Sequence, residues 1–182
     1  TQSEQFLYNI TVDKVSIKKE IFMTAVIYFS YTGNTKKIAE EIASKLEGDL
    51  IKLTPVRPYS NNYDEVVGLG QKEVNSNIEK DYLPSNINLS KYDKIVIGTP
   101  TWWYLPAPVI TTFIKNTDFT GKKVYLFMTN AGWPGKVIKT MENLAKKNNA
   151  NIVLSKEFKF NEDTLLNSQT EVDKFISNIK NT

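Results

Sequence analysis

The 182-residue sequence contains no cysteine and no histidine. Without cysteine, the chain has no disulfide, no thiol nucleophile and no thiolate metal site. Without histidine, it lacks the commonest general base and the commonest transition-metal ligand. Any chemistry is therefore expected to come from a bound cofactor, and neither a catalytic side chain nor a metal site is predicted.

Long apolar runs and a strong charge imbalance are also missing. No apolar run approaches the roughly 18 residues that a membrane span needs. The net charge is only +3, and lysines alternate with acids, as in KKIAEEIASK, which is typical of solvated helix faces rather than of a nucleic-acid footprint. We therefore expect no membrane and no nucleic-acid partner, and the absence of cysteine fits a cytoplasmic location.

From Met23 onward, short apolar runs alternate with stretches of helical period. The apolar runs are Ala25–Phe29, Leu50–Leu53, Ile95–Ile97, Val124–Met128 and Ile152–Leu154. The helical stretches between and after them have apolar residues three and four positions apart. Five strands that alternate with five helices predict an α/β domain over residues 23–182, with a parallel sheet covered on both faces.

Residues 1–22 do not follow this alternation. Phe6, Tyr8, Ile10 and Val12 alternate with polar residues, which favours a β-hairpin. The segment lacks the basic start, apolar centre and cleavage site of a signal peptide. It is interpreted as an N-terminal extension, either such a hairpin or a vector-derived remnant.

The loop SYTGNT follows the first predicted strand, on the sheet edge where ligands bind in open α/β folds. One residue, Asn34 or Thr35, suffices to cap the next helix. Ser30, Thr32, Asn34 and Thr35 offer more polar groups than a cap needs, and Gly33 lets the backbone approach a ligand. The loop therefore predicts a phosphate site. It lacks the GK[ST] ending of a P-loop, which disfavours nucleoside triphosphates.

Two further loops are predicted at the same edge. In GTPTWWYLPAPV, the consecutive Trp102, Trp103 and Tyr104 cannot all enter a core, so at least one ring face is expected to stack on a flat ligand. The alternative is that a tryptophan simply plugs the sheet edge. In TNAGWPGK, the amides around Trp133 either bind the polar edge of a ring or form an ordinary helix entry. Together the three loops predict a mononucleotide with a large planar head group.

The segment SYTGNT resembles the FMN phosphate loop of the flavodoxin-like superfamily, and the segments YSNNYDEVV…QKE, LSKYDKIVIGTPTWWYLPAPVITTFI and GKKVYLFMTNAGWPG resemble a bacterial short-chain subgroup of it. The resemblance extends from Met23 nearly to the end of the chain. It implies a flavodoxin-like three-layer sandwich with a five-stranded parallel sheet in the order 2-1-3-4-5. It also implies that FMN is the cofactor.

The resemblance implies three groups of FMN contacts. The phosphate contacts are Ser30, Thr32, Gly33, Asn34 and Thr35. The contacts to the ribityl chain and the ring are Pro100, Thr101, Trp102 and Trp103, and those to the pyrimidine edge are Asn130, Ala131 and Gly132. Tyr31, Tyr104 and Trp133, which lie next to these residues, complete the candidate site.

The family resemblance favours an electron-transfer protein whose partner is a redox protein or a small-molecule electron acceptor. The alternative is an NAD(P)H-dependent FMN reductase of quinones or similar acceptors, and a third interpretation is a relative that has lost FMN. Two features depart from the family pattern. Trp133 and Pro134 replace a glycine- and serine-rich loop, and the pI near 8.8 differs from the acidity of flavodoxins that shuttle electrons.

Overall fold

The computed structural model describes residues 23–182, so the hairpin predicted within residues 1–22 lies outside the described residues. Nine strands are formed within these described residues: β1 Thr24–Tyr28, β2 Asp49–Lys52, β3 Thr54–Pro55, β4 Tyr82–Leu83, β5 Lys94–Trp102, β6 Leu105–Pro106, β7 Lys123–Asn130, β8 Asn151–Asn161 and β9 Thr164–Leu165. Five helices connect them: α1 Asn34–Leu46, α2 Tyr63–Asn75, α3 Pro108–Lys115, α4 Val137–Lys147 and α5 Gln169–Asn181.

The central sheet has five parallel strands in the order β2-β1-β5-β7-β8. Counted along these five strands, this is the predicted order 2-1-3-4-5, and the flavodoxin-like fold is confirmed. The sequence did not predict the short antiparallel additions, which are β6 on β5, β9 on β8 and the separate pair β3–β4.

Three strands are longer than the apolar runs that predicted them, and one of them is β8, which continues from Leu154 to Asn161. The third predicted strand continues from Ile97 to Trp102, and the fourth continues to Asn130. The sequence predicted loop positions for four candidate site residues that lie on strand ends in the structure. These are Pro100, Thr101, Trp102 and Asn130. The predictions were wrong here because polar and proline residues end an apolar run before they end strand pairing. The register still pairs Pro100 with Thr129.

The alternation of strand side chains divides the core into two layers. Ile27, Ile97 and Leu126 face the layer covered by α2, α3 and α4. Val26 and Phe127 face the layer covered by α1 and α5. Both faces of the parallel strands are buried, as expected for two-sided helical cover.

Local signals explain where several helices begin. The Asn62 side chain accepts hydrogen bonds from the amides of the first turn of α2, and Ser168 with Glu171 forms a capping box at α5. Pro108 is the first residue of α3, a position that needs no backbone N–H. Within residues 23–182, none of the helices combines the length and the apolar character that crossing a membrane requires.

Candidate functional site

A cavity of about 640 Å³ opens at the carboxyl ends of β1, β5 and β7, within the size range of small-molecule sites. These three strands are neighbours in the sheet, so the segments that follow them meet at one edge. The lining residues are Tyr31, Thr32, Asn34, Tyr63, Val66, Val67, Pro100, Thr101, Trp102, Trp103, Thr129, Asn130, Ala131, Trp133, Glu162 and Asp163.

One end of the cavity lies at the start of α1. The N-cap of this helix is Gly33, with φ of 105°. The sequence had predicted Asn34 or Thr35 for this position. This left-handed conformation favours glycine, which explains why a hydroxyl-bearing residue does not occupy the position. The Gly33 amide donates to Ser30 Oγ over 3.1 Å and closes the loop.

The first-turn amides of α1 differ from those of α2 and α5. Asn62 and Ser168 cap α2 and α5, whereas no side chain within residues 23–182 caps α1, α3 or α4. Of these three uncapped helices, α1 is the one whose first turn contributes a lining residue to the cavity. The first amides of any helix lack intrahelical partners, and together with the helix dipole they attract an anion. Thr32 and Asn34 line the cavity at this point. The arrangement fits the predicted phosphate group.

Thr35, the second residue of α1, bonds to a side chain of the neighbouring sheet. Its side chain is buried, and its Oγ1 lies 2.7 Å from Thr129 Oγ1. The hydroxyl therefore joins α1 to the end of β7, where Thr129 lines the cavity. Thr35 thus supports the loop from behind.

We expect Thr35→Val to destabilise the fold by about 1–3 kcal/mol, because it leaves the buried Thr129 hydroxyl without its partner. The double variant Thr35→Val/Thr129→Val should recover most of this loss, since both polar groups are removed together. Urea unfolding measures both changes. A single variant with the wild-type free energy of unfolding would contradict the assigned hydrogen bond.

The turn between β5 and β6 is a two-residue hairpin with unusual residues at its tip. Trp103 and Tyr104 both have positive φ, 48° and 63°, in a position where hairpins normally use Asn-Gly. Bulky residues in this region cost of the order of 1–3 kcal/mol each. The hydrogen bond from Trp103 Nε1 to the Val67 carbonyl, 2.6 Å long, holds the strained turn against α2.

Thr101 and Trp102 form the centre of the cavity wall. The Trp102 ring packs edge-on against Phe29 and Tyr31, with ring centroids 5.8 and 6.0 Å away. The Thr101 hydroxyl is buried and has no hydrogen-bond partner among the described residues. An unpaired hydroxyl in a cavity wall fits a ligand that carries hydroxyl groups.

The loop after β7 is held by Asn130. Its side chain donates to Glu157 over 2.8 Å and accepts from the Gly132 amide over 2.7 Å. The Gly132 amide is therefore engaged within the loop, while Ala131 lines the cavity. Trp133 also lines the cavity, and its side chain is 69% exposed at the mouth.

Of the fifteen predicted contacts, the cavity brings most together. Those that line it are Tyr31, Thr32, Asn34, Pro100, Thr101, Trp102, Trp103, Asn130, Ala131 and Trp133. Those that do not line it are Ser30, Gly33, Thr35, Tyr104 and Gly132. The contacts of all fifteen residues with a ligand stay predictions.

Six lining residues were not predicted: Tyr63, Val66, Val67, Thr129, Glu162 and Asp163. Thr129 carries a signal, because it directly precedes Asn130 at the end of a predicted strand. The signal for Glu162 and Asp163 is weaker. They follow β8, the strand at the edge of the parallel sheet. The others lie at the start of α2, and their helical period gives no indication that this end faces a cavity.

The comparisons with known proteins agree with this geometry. A family model described as flavodoxin matches residues 23–179. No curated protein sequence matches the chain significantly.

Solved structures of flavoproteins and of a flavodoxin are also similar to this chain. A flavoprotein from Lactobacillus acidophilus, crystallised in complex with FMN, is 25% identical, with a TM-score of 0.66, and the match covers 85% of this chain and 98% of that one. A Bacteroides uniformis protein, provisionally assigned as a flavoprotein, is 26% identical, with a TM-score of 0.71 and coverage of 86% and 98%. Flavodoxin 2 from Bacillus cereus, at 18% identity, a TM-score of 0.50 and coverage of 87% and 93%, shares the fold.

Proposed function

The chain belongs to the flavodoxin family, and on that premise we propose that it binds one FMN in the cavity and serves in electron transfer. The observation that carries the proposal is the cavity itself. It joins the uncapped start of α1 to the aromatic wall around Trp102. The match to a flavoprotein that was crystallised with FMN supports the choice of cofactor.

The residues at the two ends of the cavity fit the two ends of FMN. At the start of α1, Thr32 and Asn34 would hold the phosphate together with the free amides of the first turn. In the wall, Trp102 and Trp103 line the cavity, and their indoles would pack against the flavin. The unpaired hydroxyl of the neighbouring Thr101 fits the hydroxylated ribityl chain.

Electron transfer is proposed because the chain itself offers little reactive chemistry. With no histidine and no cysteine, the side chains bind, orient and exclude water. When bound, FMN supplies transfer of one or two electrons. The donor and acceptor are proposed to be a redox protein or a small molecule, and the positive net charge favours a partner with an acidic docking surface.

Two measurements on the purified protein test the proposal. We expect a flavin absorption spectrum and release of FMN, identified by chromatography, on heating. Anaerobic mixing with NADPH alone should leave the flavin oxidised. Rapid bleaching would instead identify an NAD(P)H-dependent reductase, and a colourless protein that gains no flavin spectrum with added FMN would contradict FMN binding.

A further inference from the structure

A charged cluster lies behind the aromatic wall of the cavity. Glu73, near the end of α2, is 3% exposed. Its carboxylate accepts a 2.7 Å hydrogen bond from Tyr59 Oη and lies 2.5 Å from Lys80 Nζ. The Lys80 ammonium also lies 4.2 Å from the centre of the Tyr59 ring. The three groups therefore form a closed arrangement in which each contacts the other two.

Stability alone is a poor explanation for this cluster. Removing a carboxylate and an ammonium from water costs free energy that their mutual attraction repays only in good geometry. Apolar residues of similar size often stabilise such a position equally well. Charged groups that are retained at a buried position are better explained when they hold neighbouring groups in one arrangement.

The neighbour that the cluster holds is the cavity wall. The Tyr59 ring packs on Trp102 with centroids 4.9 Å apart, and it also contacts Phe29 at 6.0 Å and Tyr31 at 6.3 Å. Trp102 and Tyr31 line the cavity. Tyr59 thus lies between the charged pair and the rings that the proposed flavin would contact.

The hydrogen bond fixes Tyr59 in one position. Burial, reinforced by the adjacent Glu73 carboxylate, raises the pKa of Tyr59, so its hydroxyl stays protonated and donates. The Lys80 backbone amide donates to Thr112 Oγ1 in α3 over 2.9 Å, which anchors the other side of the cluster to a second helix. The position of Tyr59 is therefore set by Glu73 on α2 and by Lys80 in the segment between α2 and β4, which is itself tied to α3.

We propose that Glu73 is a positioning residue for the FMN site. Through Tyr59 it holds the Trp102 and Tyr31 rings of the cavity wall in the geometry on which the flavin ring packs. Lys80 neutralises the charge of Glu73 behind these rings. This inference rests on the proposed function. It adds a residue that does not line the FMN cavity and for which the family resemblance implied no contact with FMN.

The charge part of the proposal is tested by FMN affinity and by the midpoint potential of bound FMN. Lys80→Met leaves the Glu73 carboxylate unpaired, so we expect about tenfold weaker binding and a lower potential, because reduction adds negative charge. Glu73→Gln/Lys80→Met removes both charges and keeps an acceptor for Tyr59. It should return the FMN affinity to within about threefold of the wild-type value. The midpoint potential should return close to that of the wild type.

The positioning part is tested by two further variants. Glu73→Leu/Lys80→Met is also neutral but removes the acceptor, so it should stay about tenfold weaker than the wild type. Tyr59→Phe keeps the ring and removes only the hydroxyl, which makes it the mildest variant. We expect weaker FMN binding together with a changed near-ultraviolet circular dichroism of the tryptophans. Lys91→Met, which breaks the exposed pair with Asp49, is the control for net charge.

The possible outcomes are distinguishable. If the folded variants have wild-type FMN affinity, potential and dichroism while only their stability falls, the cluster is structural and the inference is wrong. If Lys91→Met shifts the potential as much as Lys80→Met does, position is irrelevant and the inference is again wrong. A wild-type protein that fails to bind FMN would overturn the proposed function, and with it the inference.

Discussion

Gly70→Ala is expected to weaken FMN binding by at least about tenfold, because α2 packs against the cavity wall without space for one more carbon atom. A Cβ at Gly70 would lie 2.7 Å from Trp102 Nε1 and 3.1 Å from Trp103 Cδ1. Both indoles are held, Trp102 by the surrounding rings and Trp103 by its hydrogen bond to Val67. The substitution must therefore displace the rings proposed to contact the flavin.

The same helix supplies a matched control at Gly68. A Cβ at this position has no atom within 4 Å, and the residue is exposed. Gly68→Ala should leave FMN affinity unchanged and raise the free energy of unfolding by about 0.5–1 kcal/mol through helix propensity. Flavin fluorescence titrations of both variants give the comparison. Equal FMN affinities for the two variants would contradict the assignment of the Trp102–Trp103 wall to the flavin.

Asn34→Asp is expected to weaken FMN binding by at least about a hundredfold. Asn34 is the first residue of α1 and lines the cavity beside the free amides. Two negative charges about 4 Å apart cost on the order of 4 kcal/mol near a protein surface, so a carboxylate there opposes the phosphate. The variant loses the 2.7 Å hydrogen bond that Asn34 Nδ2 donates to the Glu162 carbonyl. The fold should survive, because that bond is exposed and a negative charge at a helix N-terminus is favourable.

Riboflavin separates this charge effect from a general disturbance of the site. It lacks the phosphate, so its affinity should fall by less than about threefold in Asn34→Asp. Asn88→Asp adds the same charge in the segment before β5, at the opposite edge of the sheet, and a carboxylate can still accept the Ser90 amide. Equal losses for riboflavin and FMN would contradict a phosphate position at the start of α1.

The sequence predicts the fold well because the alternation of buried strands and amphipathic helices depends on burial alone. It predicts the cavity edge for the same reason, since parallel strands place their carboxyl ends together. The exact strand ends were wrong at Pro100–Trp102, because pairing with the neighbouring strand continues after the apolar run ends. Tertiary pairing of this kind leaves no local signal.

The roles of individual site residues were harder to predict. A hydroxyl in SYTGNT indicates hydrogen-bonding capacity but not its direction, and Thr35 directs its hydroxyl to Thr129, 94 positions away in sequence. The contact of Gly70 with two indoles depends on how α2 packs on β5, which the helical period of the surrounding sequence does not indicate. From the sequence pattern, Glu73 likewise resembles an ordinary helix-surface residue. Its contacts with Tyr59 and Lys80 are seen in the structure alone.

Titration of the ligand-free protein with FMN, followed by flavin fluorescence, tests the central claim most directly. Packing against Trp102 and Trp103 should quench the flavin fluorescence. The titration curve is expected to reach its end point at one FMN per chain. Wild-type protein that leaves FMN fluorescence unquenched at every ratio would contradict an FMN site in this cavity.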